Sequence, residues 1–496
     1  MTVEREAKLA ASPAFRMPEL AGVLQGIRSV RRPDATLHTI YVDTPELRLL
    51  RWGASLRYRE GQGWTVKLPP PGRDDVLRRD EIGFPGDGGV VPAEALDLLR
   101  GFLRNADVQP VLRLRAERRL WELRDAEDHV LVQVTDDGVE VVRGDPFRTR
   151  FRELEVEERD PGAGALLAVV VARLRAAGAG APDPTPKPVR ALGPAAMAPA
   201  DVEVGELPPR PTAGQVVRRA IASSVVHLVR HDPVVRLDTD PEGVHQARVA
   251  TRRLRSDLRT FGPLLDPVWT AAIREELSWL ADALGGARDA DVLLDRIRGR
   301  VAGLGPTEAP AAAHVVEALE RRDKEAHATL IDAIAEPRYA TLLDVLVEAA
   351  NAPALRPGTD IPADEALPAL VRRPWRSLAR AAERAGDEPN DEVLHGIRIR
   401  AKRVRYAADA VVPVVGEAAR RFARDAARLQ EVLGEHQDAV VARTWLRGWA
   451  ASIGSVDGAF AAGMLAGLEE AAANGSRARW RRAWRRLDRG RSRSWM

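Results

Sequence analysis

The chain contains no cysteine among its 496 residues. A disulfide scaffold, a thiolate metal site and a cysteine nucleophile are therefore excluded. Aromatic residues make up only 5% of the sequence, which disfavours recognition of nucleic acid by base stacking. The longest apolar run, residues 165–172, is far shorter than the roughly 20 residues of a membrane span. Because no apolar segment follows the first methionine either, we predict no signal peptide, no membrane partner and a cytoplasmic location.

Lysine is scarce as well, since only five of the 75 basic residues are lysine. Basic and acidic residues nearly balance, with 72 acidic residues and a net charge of +3. Function must therefore depend on how the charges are arranged. At very roughly 150 residues per domain, the length predicts two to four domains.

The N-terminal third has the alternating pattern of short β-strands separated by turn signals. About eight strands are expected, which is the number in a small closed barrel. Residues 14–30 and 163–177 read as helices. The predicted strands cover residues 2–9, 36–42, 55–60, 64–68, 76–82, 111–123, 130–136 and 151–157.

The remainder of the chain has helical periodicity and contains an internal repeat. A histidine is followed by basic residues at offsets 3, 7, 8 and 10, first from His245 and again from His395. A Leu-Gly-x-x-x-Asp segment follows each copy, ending at Asp289 and Asp438. Two motifs in the same order and at nearly the same offset predict a duplicated helical bundle. The expected domains are residues 1–195 and 214–496, joined by a linker at 196–213, with half-repeats at about 214–350 and 364–496.

Several predicted strands carry one charged and one apolar face, because side chains alternate along a strand. Glu4, Glu6 and Lys8 share a face of the first strand. The other charged faces belong to Arg57 and Arg59, Lys67, Arg113 and Arg115, and Glu153 and Glu155. Any single strand of this kind is also typical of a sheet with one face in water.

The set as a whole favours a shared cavity. Carboxylates at Glu4, Glu6, Glu153 and Glu155 would repel one another, and a hard divalent cation relieves that repulsion through oxygen ligands. The basic side chains suit a polyanion. Together they fit a complex of a metal with an oligophosphate, in which water attacks phosphorus in line.

The segments Glu4-x-Glu6-x-Lys8, Tyr41-Val-Asp-Thr-Pro-Glu-Leu-x-Leu and Ser55-Leu-Arg57-Tyr-Arg59, with Glu153-x-Glu155 at the end, resemble the CYTH domain of the triphosphate tunnel metalloenzymes over about residues 1–195. The resemblance implies an eight-stranded antiparallel tunnel that binds triphosphate with Mg²⁺ or Mn²⁺. It implies metal ligation by Glu4, Glu6, Glu153, Glu155 and Asp136, phosphate contacts from Lys8, Arg57, Arg59, Lys67, Arg113, Arg115 and Arg118, and catalytic roles for Glu4, Glu6 and Lys8.

Members of that family hydrolyse inorganic triphosphate or thiamine triphosphate, or cyclise ATP. No residue in this sequence discriminates firmly among these substrates. The lack of an evident nucleobase pocket mildly favours inorganic triphosphate, which is our leading prediction.

The repeated helical motif produces a basic stripe in each half. At 100° per residue, offsets 0, 3, 7 and 10 fall within an arc of about 80°. Like charges stacked in this way cost stability, so two copies with the same spacing suggest a ligand more than a solvated face. A line of cations suits a long, regular polyanion. Nucleic acid is possible by electrostatics alone, but few aromatic residues accompany the stripes, so base readout is not indicated and nucleic acid is disfavoured.

Residues from about 212 to the end resemble the CHAD domain, a duplicated four-helix bundle implicated in binding inorganic polyphosphate. The resemblance implies polyphosphate contacts from His245, Arg248, Arg252, Arg253, Arg255, His395, Arg398, Lys402, Arg403 and Arg405. The role of the two histidines is left open.

The sequence thus predicts an α+β two-domain protein: a triphosphatase tunnel followed by all-α duplicated four-helix bundles that bind polyphosphate. Association with polyphosphate granules is a further expectation. One alternative is a non-catalytic polyphosphate-binding adaptor, and another is activity as a thiamine triphosphatase or an adenylate cyclase.

Overall fold

The computed structural model describes residues 6–69, 80–142, 150–306, 308–489 and 494–496. The chain forms two compact units, residues 1–201 and 202–496. The first unit contains a curled antiparallel sheet, and the second consists of helices. The predicted fold class is therefore confirmed.

Within the described residues, the sheet of the first unit has nine strands, one more than expected. Eight follow the order β1-β9-β8-β7-β3-β4-β5-β6, and β2 pairs separately with β7. The strands are β1 (Glu6–Ala11), β2 (Arg28–Arg31), β3 (Ala35–Asp43), β4 (Ser55–Arg59), β5 (Gly63–Leu68), β6 (Asp80–Phe84), β7 (Gln109–Arg124), β8 (Val130–Val141) and β9 (Arg150–Glu158). Parts of the first and fifth predicted strands, residues 2–5 and 76–79, lie outside the described residues.

In the part of this unit that the structure describes, six helices accompany the sheet. They are α1 (Arg48–Trp52), α2 (Ala93–Leu98), α3 (Arg100–Leu103), α4 (Gly164–Ala176), α5 (Lys187–Leu192) and α6 (Pro194–Met197). Helix α4 confirms the prediction for residues 163–177. The helix predicted over residues 14–30 is wrong: this segment consists of turns and β2, and Gly22 and Gly26 adopt positive φ angles that interrupt a helix.

Two apolar layers surround the sheet. On its outer face, Leu154 and Val156 of β9 pack with Leu166 and Val170 of α4. On its inner face, a second cluster includes Leu112, Leu114 and Ala116 of β7, together with Ala196 of α6 and half-buried residues of α5. Helices α5 and α6 thus fill part of the space that the sheet encloses.

The second unit consists of two sets of helices joined by residues 352–362. The first set is α7 (Ala213–Leu237), α8 (Pro241–Thr260), α9 (Pro267–Val301), α10 (Ala309–Ala335) and α11 (Pro337–Asn351), with a 3₁₀ turn at Gly262–Leu264. The second set is α12 (Ala363–Ala366), α13 (Pro368–Glu383), α14 (Asp391–Val415), α15 (Glu417–Ser452) and α16 (Val456–Leu487). The repeated motifs occupy equivalent helices, α8 with α14 and α9 with α15.

A buried ion-pair network links the two sets of helices. The carboxylate of Glu469 on α16 is inaccessible to solvent and accepts hydrogen bonds from Arg296 Nε at 2.6 Å and Arg300 Nε at 2.8 Å, both on α9. Arg296 also forms a fork with Glu435 of α15. A buried carboxylate requires such partners, because burial of an uncompensated charge is costly.

We expect Glu469→Gln to lower the free energy of unfolding by about 3–5 kcal/mol, because it leaves two guanidinium groups without their buried counter-charge. The neighbouring Glu470→Gln is the matched control. Glu470 is 40% exposed and pairs with Arg443, so its replacement should cost at most about 1 kcal/mol. Urea denaturation measures both values, and equal losses would contradict the assignment of Glu469 to a buried link.

Candidate functional site

The inner face of the curled sheet collects charged side chains from seven of its strands. Register places Lys8 of β1 opposite Glu155 of β9, and Glu155 opposite Thr135 of β8. On the other side, Arg57 of β4 lies opposite Tyr41 of β3, and Lys67 of β5 lies opposite Glu81 of β6. Side chains opposite one another on an antiparallel pair share a face.

These side chains line a cavity of about 290 Å³. Among the described residues, seven basic and four acidic side chains contribute to its wall, a balance that favours anions. The basic residues are Lys8, Arg57, Arg59, Lys67, Arg118, Arg159 and Lys187, and the acidic residues are Glu6, Glu81, Glu155 and Glu157.

Carboxylates converge on one side of the cavity around a lysine of α5. Lys187 Nζ lies 2.8 Å from Glu155 Oε2, 2.9 Å from Asp137 Oδ2 and 3.3 Å from Glu153 Oε1. The extended segment before α5 positions this lysine, because Gly180 N donates to Ala10 O and Asp183 N donates to Lys8 O along β1. Lys187 thus acts as the local counter-charge of three carboxylates.

The proton affinities of the two glutamates differ. Burial raises the pKa of Glu153 to about 7, and the charge of Glu155 adds to the effect. Burial also opposes ionisation of Glu155, but the ammonium groups of Lys187 and Lys8 lower its pKa well below the usual range. The same carboxylates raise the pKa of Lys187 even though burial alone would lower it. Glu155 and Lys187 are therefore both charged at neutral pH.

The opposite wall of the cavity is crowded with cations. Burial and the nearby charges of Arg57 and Arg118 lower the pKa of Arg59 to about 10. The Nε atom of Arg57 is buried and has no hydrogen-bond partner among the described residues. Lys67 and Arg57 share the carboxylate of Glu81, from which Arg57 Nη2 lies 3.7 Å away. An anionic ligand would relieve this repulsion and supply the missing acceptor.

The donor set also fits a divalent cation. Asp137 and Glu155 provide carboxylate oxygens beside Glu153. Both oxygens of the buried Glu153 lack a hydrogen-bond partner among the described residues, although Lys187 and Arg190 lie within 3.4 Å. Hard cations such as Mg²⁺ and Mn²⁺ prefer oxygen ligands of this kind.

Many of the predicted site residues come together here. Glu6, Lys8, Arg57, Arg59, Lys67, Arg118 and Glu155 all line the cavity, and Glu153 contacts Lys187 at its edge. Glu4 lies outside the described residues.

Three predicted residues need correction, because the charged face of a strand is not always its inner face. In β7 the inward positions are Leu112, Leu114 and Ala116, so the exposed Arg113 and Arg115 lie on the opposite side. Asp136 is directed away from Glu155, and its carboxylate accepts a fork from Arg152 at 2.7 Å.

The sequence reasoning missed Asp137, Lys187 and Glu81. Asp137 directly follows the predicted Asp136, and Arg118 forms a fork to Asp137 at 2.7 and 2.8 Å. The alternation of β8 from Val132 and Val134, which are buried against α4, already assigns Asp136 to the outer face. Lys187 lies in a proline-rich segment without a strand or helix signature, and its scarcity as one of five lysines was the remaining signal.

The second unit brings the two basic stripes together. Helices α8 and α14 lie side by side, with the guanidinium of Arg252 5.5 Å from the ring centre of Tyr406. We call Arg248, Arg252, Arg398 and Lys402 the central cluster. Burial and the charges of Arg398, Arg252 and Arg248 lower the pKa of Lys402 to about 7. Burial likewise lowers the pKa of Arg398.

The Leu-Gly-x-x-x-Asp segments support this cluster. Arg248 Nη1 donates to Gly285 O and to Asp289 Oδ1, both at 2.9 Å. In the second half, Gly434 lies beside Arg398, since a Cβ atom there would be 3.9 Å from Arg398 Nε. That Nε atom is buried and lacks a hydrogen-bond partner among the described residues.

The other predicted polyphosphate contacts lie at the margins of the stripes. Arg255 donates to Ser278 at 3.2 Å and Arg405 to Gln430 at 3.3 Å. Arg253 and Arg403 are exposed. Of the two histidines, His395 Nδ1 contacts Gln437 Oε1 at 2.7 Å, and burial together with Arg288 lowers the pKa of His245.

Comparison with known proteins gives matches over both units. The CYTH domain family matches residues 1–171, and the CHAD domain family matches residues 219–447. An uncharacterised protein of Mycobacterium tuberculosis is 32% identical over 473 residues, which cover 90% of this chain and 88% of that protein.

Two solved structures are also similar. PptA from Streptomyces chartreusis has 22% identity and a TM-score of 0.48, covering 55% of this chain and 99% of its own. The CHAD domain from the plant Ricinus communis has 26% identity and a TM-score of 0.44, covering 60% of this chain and 96% of its own.

The curled sheet with its charged interior defines a domain of the triphosphate-tunnel type. The chain belongs to the proteins in which a CYTH domain is followed by a CHAD domain. CYTH domains are metal-dependent, bind triphosphates and related substrates, and act as triphosphatases or cyclases. In the described part of the chain, every helix is too short or too polar to span a bilayer.

Proposed function

We propose that the first unit hydrolyses inorganic triphosphate to pyrophosphate and phosphate with the help of Mg²⁺ or Mn²⁺. The observation that carries this proposal is the pairing, in one cavity, of crowded cations with a converging set of carboxylates. The first feature suits the charge of an oligophosphate, and the second suits the metal that accompanies it. The cavity volume of about 290 Å³ also favours a compact substrate.

The basic wall would bind and orient the substrate. Arg57, Arg59 and Arg118 offer planar forks to phosphoryl oxygens, whereas Lys8 and Lys67 supply compact charges. Because the sheet already holds these groups on one wall, they would stabilise charge on the phosphoryl group in the transition state with little rearrangement of the backbone. Glu81 would release Lys67 and Arg57 to the substrate.

Glu6, Glu153, Glu155 and Asp137 are the residues that would provide oxygen ligands to the metal. When bound, the ion would neutralise charge on the phosphoryl oxygens. A water molecule would attack the terminal phosphorus opposite the bridging oxygen, and the bond between that phosphorus and that oxygen would break. One water is consumed, pyrophosphate leaves, and orthophosphate and a proton are released.

The decisive experiment compares turnover of inorganic triphosphate, thiamine triphosphate and ATP, each with Mg²⁺, Mn²⁺ or neither. We expect inorganic triphosphate to give the highest kcat/KM and Glu155→Gln to abolish turnover. Glu117→Gln is the matched control, because Glu117 is exposed on the outer face of β7. Equal turnover by Glu155→Gln and Glu117→Gln would refute the assignment of the active site to this cavity. A higher kcat/KM for ATP or thiamine triphosphate would refute inorganic triphosphate as the substrate. If none of the three triphosphates is hydrolysed, the proposed activity is refuted and the alternative of a non-catalytic adaptor is favoured.

We further propose that the second unit binds inorganic polyphosphate through the central cluster. The buried Nε atoms of Arg252 and Arg398 lack hydrogen-bond partners among the described residues, as expected where an anion completes the site. Two adjacent helices contribute cations, so their combined field favours a polyanion over a single phosphate. In this proposal the protein is cytoplasmic, and the second unit retains it at polyphosphate stores.

The lowered pKa of Lys402 predicts that polyphosphate binding weakens as pH rises. With a pKa of about 7, half of the Lys402 side chains are neutral at pH 7, and a bound polyanion favours the charged form. Affinity for long-chain polyphosphate should therefore fall about tenfold from pH 6 to pH 8, as linkage requires. His245 has a lowered pKa and is already neutral over most of this range.

Calorimetric titration at constant ionic strength measures this dependence. Lys402→Arg should bind with little change over the same range, because guanidinium stays protonated. A wild-type affinity that does not vary with pH would show that binding does not change the protonation of Lys402, and would contradict this prediction.

A further inference from the structure

A second basic surface lies on the opposite flank of α14, where that helix packs against α13. A groove of about 1050 Å³ is lined by the arginines 373, 376, 380 and 384, by Arg400 of α14, and by one acidic side chain, Glu392. We call the groove lined by these five arginines the α13–α14 groove. None of these five arginines occupies a repeated position of the motif that defines the stripes.

The groove is distinct from the central cluster. At 100° per residue, Arg400 lies about 160° around α14 from both Arg398 and Lys402. Arg398 and Lys402 are directed towards α8, whereas Arg400 is directed towards α13. One helix therefore presents cations to two separate surfaces.

The arginines of α13 form a continuous row. Their offsets of 0, 3, 7 and 11 fall within about 80° of arc and span roughly 16 Å along the helix. Val371, Trp375 and Leu378 are buried on the other side of α13, so the arginine row faces outward over its full length. Bidentate forks repeated along a line match a ligand with repeated oxyanions.

A helix face in contact with solvent would explain why these arginines are exposed. It would not explain why they lack carboxylate partners among the described residues. Solvated faces typically carry mixed charges with pairs three or four residues apart. Among the described residues, the structure gives none of the five arginines a carboxylate partner within 4 Å. Arg400 Nη1 instead donates to Gly396 O at 2.9 Å. A Cβ atom at position 396 would lie 3.1 Å from Arg400 Nη1, so the glycine allows this close approach.

We propose that the α13–α14 groove is a second oligophosphate-binding site, so that one long polyphosphate chain engages both flanks of α14. This inference rests on the proposed polyphosphate binding by the central cluster. A chain that reaches both sites binds the second one intramolecularly, which raises affinity without new contacts. The groove would thus make the second unit selective for long chains over short ones.

The test uses the full chain and three double variants of equal size. The groove variant is Arg376→Gln with Arg380→Gln, and the cluster variant is Arg398→Gln with Lys402→Gln. The control is Arg321→Gln with Arg322→Gln, which removes two exposed charges from α10. Affinity for long-chain and short-chain polyphosphate is measured by calorimetry over a salt series, with duplex DNA as a competitor.

We expect the groove variant to lose at least about tenfold in affinity for the long chain, and its preference for long over short chains, while the control keeps both. For the groove variant, the slope of log affinity against log salt concentration should become shallower by about 1 for each arginine removed. If the groove variant behaves as the control does while the cluster variant loses binding, the second site is refuted and the proposed function stands. If neither variant loses affinity, polyphosphate binding by both surfaces is refuted. Stronger competition by DNA at physiological salt would overturn the ligand class.

Discussion

Replacement of Arg57 by alanine should lower kcat/KM for inorganic triphosphate by about 10²–10³-fold, the usual loss when one preorganised donor to a developing oxyanion is removed. Arg57 is only 15% exposed, and its Nε has no partner among the described residues. In the proposed site its neighbours Arg59 and Lys67 bind phosphoryl oxygens of their own, so neither replaces the planar fork of Arg57. Steady-state phosphate release measures the effect.

The matched control is Arg113→Ala, the same substitution on an exposed position of the same sheet. It should leave kcat/KM within about twofold, because surface substitutions away from a site have small effects. Arg57→Lys should recover part of the loss, as the charge returns without the planar fork. If Arg113→Ala impairs turnover as much as Arg57→Ala, the substrate does not bind on the inner face of the sheet.

Replacement of Lys187 by methionine should tighten Mn²⁺ binding by at least about tenfold, because the lysine ammonium and the metal compete for the same carboxylates. Three carboxylate oxygens lie within 3.3 Å of Lys187 Nζ. These carboxylates would hold a divalent cation through the same oxygens that now contact the ammonium. Displacement of Lys187 is therefore part of the cost of metal binding.

The same variant should be unstable without metal. Removal of the shared counter-charge leaves three neighbouring carboxylates with only Arg118, Arg190 and Lys8 to compensate them, at a cost of up to about 3–5 kcal/mol. Millimolar Mn²⁺ should restore the thermal unfolding midpoint of Lys187→Met to the wild-type value. Wild type should reach this midpoint without added Mn²⁺. Electron paramagnetic resonance of free Mn²⁺ gives affinity, and calorimetry gives the midpoint.

Lys324→Met is the control, since Lys324 is exposed on α10. It should change neither Mn²⁺ affinity nor stability. Weaker Mn²⁺ binding by Lys187→Met than by wild type would show that the lysine supports the metal instead of competing with it.

Strand periodicity predicted which side chains share a face, but not which face is directed inward. The prediction was useful for β1, β4, β5 and β9, whose charged faces line the cavity. It failed for β7, because an apolar cluster fills the part of the interior next to this strand. The face of β7 that carries Arg113 and Arg115 is therefore directed outward. A one-residue change of position reverses the face, as Asp136 and Asp137 show.

Residues outside regular patterns could not be found by periodicity. Lys187 reaches the carboxylates because residues 180–183 run beside β1 and direct α5 into the sheet's interior. That path depends on hydrogen bonds between segments about 170 residues apart in sequence. The α13–α14 groove was missed for a related reason, since its arginines come from two helices and only one of those contains the repeated motif.

Alternation, turn residues and the repeated motif were enough, by themselves, to determine a β domain followed by duplicated helical bundles, and to select most of the charged positions. These features are local, because side-chain direction along a strand or helix follows from backbone geometry alone. Tertiary structure decided the inward face of each strand, the placement of Lys187 among three carboxylates and the meeting of α8 with α14. Those outcomes depend on which apolar surfaces pack together, and packing joins residues whose separation in sequence carries no periodic signal.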